Sequence, residues 1–236
     1  MRRAVACICL VCSTIFLSCI ALVVSLFDKR GGETIHGIGR FWASLHLKIS
    51  GVTVIMKGAE HLTGPPYVFM CNHQSALDIY TLFASLPVSF RWIAKRQLFK
   101  VPFIGWAMGK AGYISIDREN PREALKAIEE AARKISGGMN IIIFPEGTRS
   151  PDGVLLPFKK GGFSLALRAM VPIVPVGIYG TNRLQPKGSF IPKEKGVIYV
   201  NIGEPIVLEG MDRSAKTKVM DDVRERIEGL TSCQGN

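Results

Sequence analysis

A chain of 236 residues can bury one sizeable hydrophobic core and is slightly long for an average domain, so we expect one catalytic domain with an appendage. Apolar residues make up 47% of the chain, its mean hydropathy is +0.22 and its formal net charge is +11. Apolar and cationic excess together favour an anionic membrane as the partner. We do not expect nucleic acid, because the basic residues are scattered and no zinc-finger, helix-turn-helix or aromatic RNA-binding pattern is present.

The N-terminus begins with a long apolar segment. Residues 4–27 contain no charged side chain, and basic residues flank both ends. As a helix rising about 1.5 Å per residue, this segment is long enough to cross the hydrocarbon core of a bilayer. A cleaved signal peptide is the weaker interpretation, because the segment exceeds a usual h-region and no Ala-x-Ala-like site follows Phe27. The similar basic flanks leave two alternatives, a membrane span or a helical pair that dips into one leaflet.

A second segment, residues 37–50, has apolar residues at three- and four-residue spacing and places Arg40 and Lys48 on the other face. An interfacial helix and an ordinary core-facing helix both fit this pattern, and the neighbouring apolar leader favours the interface. We therefore assign residues 1–50 to an N-terminal membrane-anchoring helical segment and residues 51–236 to the catalytic domain. The six cysteines form neither a disulfide framework nor a zinc pattern, and we expect no metal and no cofactor.

From Gly51 onward, short apolar runs alternate with helical patterns. The clearest helix is Pro121–Ser136, which Asn120 can cap, and a last helix is expected over residues 213–228. Strands that alternate with helices predict an α/β domain with a mixed, largely parallel sheet flanked by helices. The predicted strands begin at Val52, Tyr67, Phe90, Gly112, Asn140, Val171 and Val197.

The stretch "VFMCNHQSALDIYTLF" places a histidine directly after an apolar strand. His73 stands in the connection to the next helix, at the carboxyl end of a strand, which is where open α/β sheets bind ligands. Asp78 has two interpretations that pattern alone leaves open. It can form a capping box with Ser75, as acidic residues in a first helical turn often do, or it can orient the His73 ring.

Two further motifs carry arginine after predicted strands. "FPEGTRS" begins at Phe144, and "GYISIDR" ends at Arg118. If the strands are parallel, both motifs meet His73 at the same sheet edge, where arginine and free backbone amides suit a phosphate group. The alternative for "FPEGTRS" is an exposed turn with a solvated Glu–Arg pair. The alternative for Arg118 is a solvated charge next to Asp117. The candidate substrate-binding residues are Arg118, Glu146, Gly147, Thr148 and Arg149, with Lys95 as a further candidate.

Together these motifs resemble the glycerolipid acyltransferases related to the bacterial enzymes that acylate 1-acyl-glycerol-3-phosphate. "NHQSALD" resembles the Asn-His-x4-Asp block of that family, and "GYISIDR", "FPEGTRS" and "VPIVPVGIYG" resemble the next three blocks in the same order, over about residues 67–180. The His-x4-Asp motif by itself is weak evidence for this family, whereas the four motifs in this order are strong evidence. One departure is "AKRQLF", where a glutamate is expected near Gln97; this concerns acceptor or donor preference more than the reaction type.

The resemblance implies that an acyl group moves from acyl-CoA or acyl-acyl carrier protein to the sn-2 hydroxyl of lysophosphatidate, giving phosphatidic acid. With the apolar, cationic N-terminus, we expect a membrane-associated enzyme whose active site faces the cytoplasm and whose partners include membrane phospholipid. An alcohol is a weak nucleophile, so the reaction needs a base and a place for the developing oxyanion. Histidine, with an ordinary pKa of about 6.5, is suited to that base.

We expect His73 to take the hydroxyl proton and Asp78 to hold the other ring nitrogen, as in serine hydrolase triads but without an acyl-enzyme. Arg149 and Arg118 would bind the acceptor phosphate, while Glu146 would position Arg149 or a glycerol hydroxyl. The oxyanion would be supported by Lys95 and the amides near Gly147.

Other functions also fit parts of this pattern. The acceptor can be another lyso-lipid or glycerol-3-phosphate. A lipid hydrolase would use the same His–Asp pair on water, and a non-catalytic membrane adaptor would need neither that pair nor the arginine turns. The His–Asp pair together with both arginine motifs therefore favours an enzyme over an adaptor, whereas transferase and hydrolase are separated only by an assay.

Overall fold

The computed structural model describes residues 2–30, 32–64, 66–117, 120–211 and 213–232. Its helices are α1 (Arg2–Val24), α2 (Glu33–Ser50), α3 (Leu77–Ser85), α4 (Arg96–Phe99), α5 (Ile104–Lys110), α6 (Pro121–Ser136), α7 (Lys160–Ala169), α8 (Thr181–Leu184) and α9 (Lys216–Ser232). Its strands are β1 (Val52–Lys57), β2 (Val68–Cys71), β3 (Phe90–Lys95), β4 (Ile114–Ile116), β5 (Asn140–Ile143), β6 (Ile173–Tyr179) and β7 (Gly196–Ile202).

These strands form one 7-stranded sheet in the order β1-β7-β6-β2-β5-β3-β4. The β6–β7 pair is antiparallel, and the other neighbours are parallel. The predicted α/β fold with a mixed, largely parallel sheet is confirmed. Phe69 on β2 is level with Ile142 on β5, which is level with Trp92 on β3. The carboxyl ends of these parallel strands therefore lie at one edge of the sheet.

Helices cover both faces of the sheet, which explains why the central strands read as continuous apolar runs rather than alternating ones. All of β2 is buried. One face packs against α2 and α3 around Phe69, Leu82 and Phe90, and the other packs against α6, α7 and α9 around Phe163 and Val223. A two-faced core of this kind gives the residues after β2 a rigid base.

The predicted helix Pro121–Ser136 is confirmed as α6. The Asn120 side chain accepts hydrogen bonds from the backbone N–H groups of Arg122 and Glu123, at 3.1 and 3.3 Å, and Gly137 follows the last helical residue. Other boundaries moved by a few residues. The last helix runs over Lys216–Ser232 rather than 213–228, and α2 begins at Glu33, before the predicted start at 37.

The N-terminal helices pack against each other and against the α/β core. The Trp42 indole N–H donates to Thr14 Oγ1 at 3.0 Å, and Ser13 Oγ and His46 Nε2 lie 2.8 Å apart. Arg91, which is fully buried on β3, pairs with Glu33 at the start of α2 (2.9 Å). In the described part of the chain, one helix (Ala6–Val24) has the length and apolar composition of a membrane span, properties that a signal sequence shares. The division at residue 50 coincides with the end of α2 and stays a prediction.

Candidate active site

His73 and Asp78 form a hydrogen-bonded pair at the carboxyl end of β2. Nδ1 of His73 lies 2.8 Å from Oδ2 of Asp78, whose side chain is fully buried, while the imidazole is 15% exposed. The same Oδ2 accepts the backbone N–H groups of Gln74 (2.7 Å) and Ser75 (2.8 Å). Asp78 therefore caps the loop and also orients the His73 ring, so the two alternative roles considered from the sequence are both filled by this side chain. Within the described residues, nothing bonds Nε2 of His73.

Phe144 holds the face of the His73 ring. The two ring centroids are 3.9 Å apart with planes inclined by 12°, and Trp92 stacks behind Phe144 at 5.7 Å and 22°. Asp78 restrains the imidazole at its edge, and the aromatic stack restrains it from one side. The ring nitrogen that is left to accept a proton is Nε2. This position of Phe144 was not predicted, although Phe144 is the first residue of "FPEGTRS".

Asn72 extends the pairing of β2 with β6 by one side chain. Its Nδ2 donates to the Ile178 carbonyl at 2.8 Å, and the Ile178 N–H donates to its Oδ1 at 2.7 Å. The last backbone partners of these strands are Cys71 and Val176, so the amide side chain continues the ladder where β2 ends. This fixes the residue just before His73, a role of Asn72 that the sequence pattern did not predict.

The contacts of Glu146 differ from those predicted. Its carboxylate is buried; one oxygen accepts the His73 N–H at 2.6 Å and the other accepts the Leu156 N–H at 2.8 Å. Within the described residues it forms no ion pair with Arg149, so the expected positioning of Arg149 by this side chain is not observed. Burial raises the pKa of Glu146, and the hydrogen bonds from Leu156 and His73 offset part of that rise. Together with the Ser150 N–H, which donates to the His73 carbonyl at 2.7 Å, Glu146 fixes the backbone of the candidate base.

The turn after Glu146 presents Arg149 beside this pair. Gly147 has a φ of 74°, which favours glycine, and its N–H donates to the Phe144 carbonyl at 3.0 Å. Thr148 is exposed and Arg149 is half-buried. The Lys187 amine donates to the Arg149 carbonyl at 2.7 Å. Among the described residues the Arg149 guanidinium has no carboxylate partner, so the solvated Glu–Arg pair considered from sequence is not found.

Lys95 ends β3 at the same edge and is exposed. Two strand spacings, about 10 Å, separate β3 from β2 across β5. Lys95 is level with Ile116 on β4, so the carboxyl end of β4 lies at this edge too. Arg118 lies outside the described residues, and its role stays a prediction.

Glu146→Gln is expected to lower both stability and turnover. The amide keeps the shape of the carboxylate but replaces one acceptor with a donor, so the N–H of His73 or of Leu156 loses its partner. A buried unpaired N–H costs about 1–3 kcal/mol, which in a chain of this size lowers Tm by roughly 2–4 °C per kcal/mol. Thermal unfolding and turnover measure the two effects. Glu209→Gln, at an exposed position, is the matched control, and a Glu146→Gln protein that melts with the wild type would contradict this assignment.

In the part of the chain that the structure describes, a buried carboxylate, a histidine whose Nε2 has no partner and an arginine-bearing turn lie at one sheet edge, which is the arrangement of an acid–base catalytic site beside an anion-binding turn. The acyltransferase family model matches residues 53–179, which include His73, Asp78 and the turn with Arg149. The chain belongs to the acyltransferase family, and the predicted resemblance is confirmed.

The particular relatives are glycerolipid enzymes. The chain is 38% identical over 208 residues to 1-acyl-sn-glycerol-3-phosphate acyltransferase BAT2, chloroplastic, of Brassica napus, covering 85% of this chain and 60% of the relative. It is 35% identical over 220 residues to 1-acyl-sn-glycerol-3-phosphate acyltransferase alpha of Homo sapiens, covering 90% and 75%. The crystal structure of the 1-acyl-sn-glycerophosphate (LPA) acyltransferase PlsC from Thermotoga maritima matches all of both chains with a TM-score of 0.80 and 25% identity. The chain spans 60% and 51% of the length of the Brassica napus relative and of LPAT1 of Arabidopsis thaliana.

Proposed function

We propose that this protein transfers a fatty acyl group from a thioester to the sn-2 hydroxyl of 1-acyl-glycerol-3-phosphate, giving phosphatidic acid. The observation that carries the proposal is the His73–Asp78 pair, with Nε2 free of described partners and Arg149 on the adjacent turn. The names of the relatives support lysophosphatidate as the acceptor.

The reaction needs one base that later acts as an acid. Nε2 of His73 takes the proton from the acceptor hydroxyl as its oxygen attacks the thioester carbonyl, and the new C–O bond gives a tetrahedral oxyanion. Collapse breaks the C–S bond, and the imidazolium returns its proton to the leaving thiolate. Asp78 accepts the Nδ1–H throughout and stabilises the imidazolium. These steps balance all bonds and protons without forming an acyl-enzyme.

The cationic turn supplies the electrostatic part of the reaction. Arg149, with Arg118 as the second cation, binds the acceptor phosphate through its planar fork of donors. The backbone N–H groups of Thr148 and Arg149 donate to no described residue and are the better candidates for oxyanion support, because the Gly147 N–H is already bonded to Phe144. Lys95 is a further cation at this edge. Coenzyme A and acyl carrier protein present the same thioester, so either donor satisfies this chemistry.

Membrane association through α1 and α2 is part of the proposal. The face of α1 that does not pack on α2 exposes large apolar side chains: Ile8, Val11, Ile15, Phe16 and Val23. The contacts of Thr14 with Trp42 and of Ser13 with His46 hold α1 alongside α2, which favours a helix pair lying in one leaflet over a span. A site open to cytosolic thioesters would then face the cytoplasm.

The acceptor assignment is tested with an acceptor panel. Purified full-length protein in mixed micelles is given one acyl donor and lysophosphatidate, glycerol-3-phosphate, lysophosphatidylcholine or monoacylglycerol. Lysophosphatidate should react with the highest kcat/KM, because among these acceptors it alone combines the hydroxyl and a phosphate monoester for Arg149 with an acyl chain that enters the micelle. Monoacylglycerol is the matched acceptor without phosphate. A preference for it would overturn the phosphate-binding role of the turn.

Phe16→Asp is expected to weaken vesicle binding. A charged side chain on the apolar face of an interfacial helix must leave the hydrocarbon region or carry water into it, with a penalty of about 2.5–3.5 kcal/mol at full depth. Phe16 is 65% exposed, so the folded core should tolerate the change. Leu125→Asp on α6 is the matched control, and sedimentation with vesicles measures both. Equal binding by the two variants would remove α1 from the membrane contact.

A further inference from the structure

The connection between β3 and β4 exposes an unusual set of large apolar side chains. Residues 96–110, named here the α4–α5 segment, include four that face solvent: Leu98 (47% exposed), Val101 (44%), Phe103 (38%) and Trp106 (53%). The Phe103 and Trp106 rings contact each other, with centroids 5.6 Å apart. An exposed apolar cluster of this kind indicates a surface that contacts a membrane or another protein.

The same segment is strongly cationic. Asp and Glu are absent between Arg91 and Ile116. The exposed cations at and around the apolar cluster are Lys95, Arg96, Lys100 and Lys110. Of these, Arg96 forms a salt bridge with Asp117 at 3.5 Å. Apolar and aromatic side chains next to lysine and arginine, with no acidic residue in the segment itself, are the composition of segments that bind anionic bilayers.

The segment is continuous with the apolar surface of α1. Ala107 and Ala111 pack against Ala21 of α1 and Ile35 of α2 in one small buried cluster. Beyond Ala21, the end of α1 and the following turn expose Val23 (60%), Leu26 (74%) and Phe27 (77%). The outer surfaces of α1 and α5 therefore lie side by side, and a bilayer that contacts one also reaches the other.

The segment also borders the candidate active site. α4 begins immediately after Lys95, at the edge of the sheet where β2 and β5 present His73 and Arg149. A lipid acceptor has to reach that edge from a membrane.

We propose that the α4–α5 segment is a second membrane contact, which binds the anionic headgroups of one leaflet and brings the edge with His73 to the lipid surface. Phe103 and Trp106 enter the interfacial region, while Lys100 and Lys110 pair with headgroup phosphates. The binding part of this inference rests on the exposed residues and on the proposed membrane contact of α1; its purpose, access to a lipid acceptor, rests on the proposed acyl transfer. A lipid surface is favoured over a protein partner because the apolar cluster continues that of α1.

Two full-length double variants test the two halves of the contact. Leu98→Ser/Trp106→Ser removes apolar area and should weaken binding to phosphatidylcholine vesicles and to phosphatidylglycerol-containing vesicles alike, by about ten-fold or more. Lys100→Gln/Lys110→Gln should weaken binding to the anionic vesicles on the order of five-fold per cation, reduce its salt dependence and leave binding to neutral vesicles unchanged. Leu125→Ser and Lys195→Gln are the matched exposed controls and should bind as the wild type does.

The activity of the same variants separates this inference from the proposed function. In mixed micelles each variant should retain wild-type turnover, whereas on vesicles turnover should fall with binding. Variants that bind both kinds of vesicle as tightly as the wild type would overturn the second contact. If, in addition, they raised KM for acyl-acyl carrier protein only, the segment would be a docking surface for that acidic carrier instead. A wild-type protein that transfers no acyl group in micelles would contradict the proposed function and leave the binding result to stand independently.

Discussion

Replacing His73 with alanine is expected to lower turnover by about 10²- to 10⁴-fold, because this is the usual contribution of a positioned general base. The fold should be nearly unaffected, since the His73 backbone is held by Glu146 and Ser150 rather than through its ring. Steady-state turnover and thermal unfolding measure the two parts. The exposed lysines and arginines remain in this variant, so vesicle binding should equal that of the wild type.

Asp78→Asn separates the two roles of this carboxylate. The amide oxygen can still accept the N–H groups of Gln74 and Ser75, but it carries no charge to stabilise an imidazolium, so turnover should fall together with a moderate loss of stability. Asn120→Ala is the matched control: it removes a helix cap on α6, at about 1 kcal/mol, and should spare turnover. If Asp78→Asn behaves as this control does, Asp78 only caps its loop, and its proposed role in stabilising the His73 imidazolium is wrong.

Arg149→Ala is expected to lower kcat/KM for lysophosphatidate by about one to two powers of ten, since a charge-assisted hydrogen bond contributes about 1.5–3 kcal/mol. Arg149→Lys keeps the charge and loses the planar fork, so its loss should be smaller. The KM for the acyl donor should barely change, because Arg149→Ala removes only the guanidinium and keeps the backbone N–H proposed to support the oxyanion. Separate titrations of acceptor and donor measure the difference.

The exposed Arg133 on α6 provides the control for Arg149, and Arg133→Ala should match the wild type towards both substrates. Equal losses towards donor and acceptor in Arg149→Ala would instead indicate a collapsed turn. Such a collapse would break the hydrogen bond from Lys187 to the carbonyl of residue 149. No loss towards lysophosphatidate would remove Arg149 from the site.

Local patterns predicted those features that depend on neighbouring residues. The buried strand before His73, the capped helix α6 and the parallel arrangement all follow from runs and spacings that report burial directly. The His73–Asp78 contact was also predictable, because Asp78 stands in the first turn of the helix that follows the histidine loop. Sequence could not decide between capping and ring orientation, since one oxygen does both.

Contacts between distant loops were not predictable. Glu146 was predicted to position Arg149, its near neighbour, or a glycerol hydroxyl. Its second oxygen instead accepts the Leu156 N–H from a later loop, whose path the hydrophobic pattern does not indicate. Arg224 on α9 donates to the carbonyls of Leu155 and Leu156 at 2.9 and 3.0 Å and thus holds that loop from the far end of the chain. The stack of Phe144 on His73 likewise arises only once β5 pairs with β2. These positions follow from tertiary packing.

Direct acyl transfer by the His73–Asp78 pair is tested most directly by following a labelled acyl thioester with and without lysophosphatidate. The purified full-length protein should release free thiol in equal amount to phosphatidic acid when the acceptor is present, and thiol release should fall to background when it is absent. Release of free fatty acid and thiol at the same rate without acceptor would show that His73 activates water, and would replace the transferase with a hydrolase.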